Sequence, residues 1–87
     1  MHIEGNIISG EFDPGMNEFS LQKVKHFLTE STLRKTQLNH LYQYLKKHEN
    51  EQDGQIITLY DQMPLRLTQS EVQQLIDDLE RIQPFYH

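Results

Sequence analysis

The sequence predicts an α+β domain in which three amphipathic helices pack on a small two- or three-stranded antiparallel sheet, in the order β-α-α-β-(β)-α. Three observations carry this prediction. Apolar residues recur at helical spacing in three separate stretches, Ile56 to Tyr60 is a run of β-branched and aromatic residues, and Thr68 to Glu71 reads as a helix start. The 87 residues make one domain, spanning residues 1–87, without an internal repeat or an interdomain linker.

Ile3 to Ile8 reads as a strand with Ile3 and Ile7 on one face and Gly5 weakening its middle. Residues 9–18 read as a loop, because Asp13-Pro14-Gly15 is turn chemistry: proline presets φ and glycine supplies positive φ. Ser20 is placed to cap a helix running to about Glu30, with Leu21, Val24, Phe27 and Leu28 on one face. Thr29 to Thr32 then breaks the pattern and caps a second helix, from about Thr32 to Glu49, with Leu38, Leu41, Tyr42 and Leu45 as its stripe. Lys46 and Lys47 lie in its last turns, where cations complement the negative end of the helix dipole.

A polar turn at residues 50–54 leads into the strand at 56–60, and Asp61 to Pro64 reads as a hairpin turn. Leu65-Arg66-Leu67 alternates as a short edge strand. Thr68 and Glu71 fit a capping box, in which each side chain satisfies the other's backbone amide. Val72, Leu75, Ile76, Leu79 and Ile82 form the stripe of the third helix, and Glu71, Asp78 and Glu80 read as its charged outer surface. Pro84 stops that helix and leaves Phe85-Tyr86-His87 as an aromatic tail.

There is no cysteine, which removes disulfides and thiolate metal sites and favours a reducing compartment. The opening Met1-His2-Ile3-Glu4 has no basic segment followed by an apolar run, and no apolar run approaches the ~18 residues of a membrane span. The expected location is therefore cytoplasmic. The net charge of −5 is unevenly laid out. Residues 19–48 hold six cations (Lys23, Lys25, Arg34, Lys35, Lys46 and Lys47) against the single acid Glu30, a net of +5. The remainder holds Arg66 and Arg81 against twelve acids, a net of −10. Such a layout speaks to partners and steering rather than to fold.

Each candidate site also admits a plain structural role. The five histidines lack the i, i+4 spacing of a helical metal pair, so surface or core-edge roles are favoured for them. Glu49, Glu51, Asp53 and Gly54 match the opening of a calcium loop, but the twelfth position is Tyr60, which cannot supply two carboxylate oxygens. Asp77 and Asp78 are adjacent and project about 100° apart, so they cannot jointly grip a reacting group. No Gly-x-Ser-x-Gly, P-loop or dinucleotide glycine motif is present. No metal, cofactor or catalytic set is expected.

Recognition surfaces remain. Two basic helices joined by a short turn have the outline of a helix-turn-helix, with Thr32, Arg34, Lys35, Gln37 and Asn39 able to reach phosphates or base edges and Lys23, Lys25, Lys46 and Lys47 adding charge. The same residues could equally face an acidic protein surface. Phe85 and Tyr86 are either an exposed apolar anchor or a folded-back core cap. The leading expectation is a small non-enzymatic regulatory or adaptor module that binds a protein partner, with a homodimer as one form. The alternative is a small nucleic-acid-binding regulator using residues 19–48. The observation that separates them is whether the cations form one contiguous surface or are scattered among acids.

Overall fold

The computed structural model of the chain describes residues 1–58 and 64–87. The elements are β1 (His2–Glu4), β2 (Ile8–Asp13), β3 (Glu18–Val24), β4 (Phe27–Arg34), α1 (Lys35–Lys47), β5 (Gln55–Ile57), β6 (Leu65–Leu67) and α2 (Gln69–Ile82), followed by a 3-10 turn at Gln83–Phe85. The first four strands form an antiparallel meander in the order β1-β2-β3-β4, and β5 pairs with β6 as a separate two-stranded ribbon. The α+β class holds, but the expected three helices on a small sheet do not: there are two α-helices, and the order is β-β-β-β-α-β-β-α.

The principal error concerns residues 20–30, which form most of β3 and the first half of β4 rather than a helix. Leu21 and Val24 are both buried, yet three residues separate them. A regular strand would place Lys23, not Val24, on the face of Leu21. The register slips between Leu21 and Lys23 in both pairings of β3, so Gln22 and Lys23 are both exposed and the inward side resumes at Val24. The two-residue turn Lys25-His26 then adds a second three-residue step to Phe27. A bulge followed by a tight turn thus imitates helical spacing. Because Leu28 lies on the other side of the sheet, it is 83% exposed rather than part of an apolar stripe.

Residues 9–13, expected as loop, belong to β2, where Ile8, Gly10 and Phe12 alternate inward. Gly10 is required by close approach: a Cβ there would collide with the Ser20 carbonyl oxygen and the Phe19 ring. The turn expected at Asp13-Pro14-Gly15 does form, as the β2–β3 connection. Asp13 Oδ1 accepts from the amides of Gly15 (2.9 Å) and Met16 (3.2 Å). The expected helix at 32–49 starts later, at Lys35, because β4 continues through Arg34. Ile3 and Ile7 are both buried as expected, although Gly5 to Ile7 is the β1–β2 connection and not strand.

The C-terminal half follows expectation more closely. Ile56 and Ile57 lie in β5, and Leu65 to Leu67 forms β6. Leu59 and Tyr60 of the expected strand, and Asp61 to Met63 of the expected turn, lie outside the described residues. The capping box closes α2: Thr68 Oγ1 accepts from the Glu71 amide (3.1 Å) and Glu71 Oε1 from the Thr68 amide (2.9 Å). Pro84 ends the α-helix and sits in the 3-10 turn.

One side of the meander is apolar and carries Ile3, Ile8, Phe12, Phe19, Leu21, Val24 and Leu33. It faces Leu38 and Leu45 of α1 and Val72, Leu75, Ile76, Leu79 and Ile82 of α2, with Ile57 and Leu67 completing one core. Leucine-to-alanine changes at such sites cost about 2–5 kcal/mol. At the chain end, Tyr86 packs edge-on against Phe12, with centroids 4.9 Å apart, and donates its hydroxyl to the Leu33 carbonyl (2.6 Å).

One acidic side chain is built into this core. Asp78 was expected on the outer surface of its helix, yet its exposure is 1%. Its carboxylate accepts from the amides of Asn6 (2.6 Å), Ile7 (2.7 Å) and Ile8 (3.1 Å). These amides belong to the β1–β2 connection and the first residue of β2, so one side chain of α2 supplies the acceptors that a turn packed against a helix lacks. Gly5 makes the approach possible, since a Cβ at that position would lie 2.5 Å from the Asp78 carboxyl.

Asp78→Ala is expected to lower unfolding free energy by at least about 3 kcal/mol, because buried amides lose a charged acceptor. Urea denaturation measures this, and a loss below about 1 kcal/mol would refute the assignment. Tyr86→Phe is expected to cost about 1 kcal/mol through the lost hydrogen bond alone, read in the same experiment.

Candidate interaction surface

Strand pairing defines the outer side of the meander, away from the helices. Register aligns three rows across it: Glu4, Ser9, Lys23 and Leu28; then His2, Glu11, Ser20 and Thr32; then Asp13, Glu18 and Arg34. No apolar residue except Leu28 stands in these rows, which is why one side of the sheet faces water. His2 lies between Glu11 (3.1 Å) and Glu4 (3.1 Å), and hydrogen bonding to Glu4 and then Glu11 raises its pKa above the ordinary value. An open groove of about 730 Å³ runs along β3 and β4, lined by Ser20, Gln22, Leu28, Glu30 and Thr32 among others.

The two edges of this sheet differ. β1 is three residues long, whereas β4 is eight and has β3 as its only strand neighbour among the described residues. A long strand with one strand neighbour among the described residues is a template for another strand. At its start, Phe27 (50% exposed) stacks on His26, with centroids 4.5 Å apart, and Leu28 is 83% exposed. Farther along, Glu30, Thr32 and Arg34 are exposed and alternate with the inward Thr29, Ser31 and Leu33. Thr29 and Ser31 share a hydrogen bond of 3.2 Å, so the inward side of the edge carries polar groups with partners.

The cations singled out in the sequence do not converge. Lys25 holds the β3–β4 turn at φ 57°, a left-handed conformation that non-glycine residues seldom adopt. Its amide donates to the Ile7 carbonyl (2.8 Å) and its Nζ pairs with Glu71 (3.0 Å), so it ties the turn to α2. Arg34 pairs through Nε with Glu18 (3.3 Å), and its amide donates to the Gln37 side chain (2.9 Å) at the start of α1. Asn39 accepts from Gln83 (3.3 Å). Lys46 pairs with Glu49 (3.4 Å). Lys23 and Lys35 are exposed, one on the outer side of β3 and the other at the first position of α1.

The helix-turn-helix outline therefore has no counterpart, because its first helix is a hairpin. Gln37 and Asn39 act in capping and in helix-to-tail contact. The aromatic tail folds back: Tyr86 is buried, and Phe85 lies 6.0 Å from Phe12, centroid to centroid. Burial pushes the Tyr86 hydroxyl up to about 12. Phe27, Leu28 and Glu30 were not among the expected site residues, and Thr32 was expected at the start of a helix rather than on a strand. Their signal lay in the alternation from 27 to 34, which the apparent helical spacing masked.

The chain matches no family model, no curated protein and no solved structure. No described helix is long and apolar enough to cross a membrane. Among the described residues no three His, Asp or Glu side chains gather as a metal-binding group.

Glu71 gives this arrangement a pH dependence. The Thr68 amide and then Lys25 hold its carboxyl below the ordinary value of 4.5. Folding thus favours the ionised form. Its contribution to stability is complete above the unfolded-state value and is lost as pH falls through the lower folded-state value. Glu71→Gln is expected to flatten the acid limb of the stability-against-pH curve below about pH 5, measured by urea denaturation across pH. An unchanged limb would refute the role.

Proposed function

We propose that the chain is a small non-enzymatic recognition module, an adaptor or regulator, that binds a protein partner through the outer edge of β4 and the apolar tip beside it. One observation carries this reading: an eight-residue edge strand without a second neighbour among the described residues, beginning at the exposed Phe27 and Leu28. An extended segment added to such an edge gains main-chain hydrogen bonds, and alternate side chains set its specificity. Leu28 and Phe27 supply apolar area for contact energy, while Glu30, Thr32 and Arg34 supply polar complementarity.

The scattering of cations among acids supports a protein partner over a nucleic acid. Lys25, Arg34 and Lys46 each meet a carboxylate of the same chain. Duplex binding instead rests on cations left available to neutralise a run of phosphates. The absence of cysteine supports a reducing, cytoplasmic setting.

Affinity capture from native lysate with the wild-type chain and with Leu28→Asp tests the reading. Leu28 is exposed, so the variant is expected to keep its unfolding free energy within about 0.5 kcal/mol while losing captured protein at least tenfold. Equal capture by both chains would remove β4 as the docking element. Binding of duplex DNA at low salt by the wild type would turn the reading toward nucleic acid.

A further inference from the structure

We infer that the occupant of the β4 edge is β4 of a second copy of this chain, paired antiparallel about a two-fold axis at Thr32. This rests on the reading of β4 as the docking element and names its partner. Antiparallel pairing of a strand with its own copy is isologous, so every contact is made twice and the strand must be complementary to itself.

The charges of β4 select the register. Its two exposed ionised residues are Glu30 and Arg34, four apart, with Thr32 midway. With Thr32 facing Thr32 of the other copy, Glu30 falls opposite Arg34 twice. Opposite charges directly across a strand pair are favourable, as are paired threonines. Centring the pair on Glu30 would set like charges face to face, which is unfavourable. Centring it on Ser31 would set Leu28 against Arg34 and leave Glu30 opposite Thr32. Of these registers, only the Thr32-centred one matches both ionised residues.

Arg34 suits a second carboxylate. Glu18 takes its Nε, and the Arg34 side chain is still 73% exposed. A guanidinium has donors on both Nη groups as well. The row Asp13, Glu18, Arg34 would then continue into Glu30 of the other copy, placing one arginine between two carboxylates. The row of His2, Glu11, Ser20 and Thr32 would run through the axis into its own image. Two four-stranded meanders would become one eight-stranded sheet, and the long edge would be removed from solvent.

The chain has no cysteine, so an introduced thiol reports on the pairing without background. Thr32→Cys is expected to oxidise to a disulfide-linked dimer, because residues facing each other across an antiparallel pair have Cα atoms about 4.5–5.5 Å apart, within disulfide reach. Ser20→Cys, one strand inward on the same side, is the control and is expected to stay monomeric on non-reducing gels. Sedimentation of the thiol-free wild type is expected to show a concentration-dependent dimer, and Glu30→Arg to weaken it about tenfold or more by turning two attractive pairs repulsive. A wild type that is monomeric at every concentration overturns the inference, as does a dimer indifferent to Glu30→Arg or cross-linking of Thr32→Cys no faster than Ser20→Cys. If the wild type is monomeric while capture of a different protein still depends on Leu28, the second copy is excluded as occupant and the recognition reading stands. Monomeric behaviour together with Leu28-independent capture removes both.

Discussion

The carboxylate of Asp78 holds the β1–β2 connection to the last helix, and the arrangement of the sheet depends on that attachment. Three consecutive amides, from Asn6 to Ile8, point at one side chain 70 to 72 positions away. Without an acceptor they would be buried donors, each costing on the order of 1–3 kcal/mol. With it, the start of the meander is fixed against α2, and the inward residues of β2 and β3 meet the stripe Val72, Leu75, Ile76, Leu79 and Ile82. Lys25 makes a second attachment from the other hairpin to the first turn of the same helix. Tyr86 makes a third, from the segment after that helix to β4. Three separate parts of the sheet are thus tied to α2 and the segment that follows it.

These attachments account for most of the residues that sequence reasoning assigned to recognition. Lys25, Arg34, Gln37, Asn39 and Tyr86 all make intramolecular contacts that define turns, caps or helix ends. A charged or aromatic residue in a small domain with a limited core is often needed for such duties. What remains for a partner is what the fold does not use, namely the outer side of the meander and the edge of β4. That edge is long, uncovered by another described strand, and flanked by Phe27 and Leu28.

Legibility in the sequence varied with the kind of signal. α2 was readable because Thr68 and Glu71 form a reciprocal local motif and its apolar stripe is regular. β6 was readable from strict alternation. α1 was readable in its body and misplaced at its start, because Thr32 is an equally good cap residue and strand residue. β3 and β4 were misread because the slip at Gln22 and the two-residue turn at Lys25 produced steps of three, which a strand without a bulge never shows. Asp78 was misread because an acid near the apolar stripe resembles a solvated one. It lies three residues beyond Leu75 and four before Ile82, a spacing that puts it on the buried side of the helix.

By itself, the sequence determined the mixed class, the helix from Gln69 to Ile82 with its cap, the apolar stripe of α1, the tight turn at Asp13 to Gly15 and the absence of thiol chemistry. Each of these depends on neighbours within a few positions or on composition. Tertiary structure alone decided that residues 8–34 form a meander, that Asp78 is an interior acceptor, that Lys25, Arg34 and Lys46 meet separate acids and that β4 is the long outer strand of the described sheet. Those outcomes depend on which distant segment lies opposite: strand pairing, bulges and the burial of a lone carboxylate are set by partners tens of residues away, and local periodicity carries no record of them.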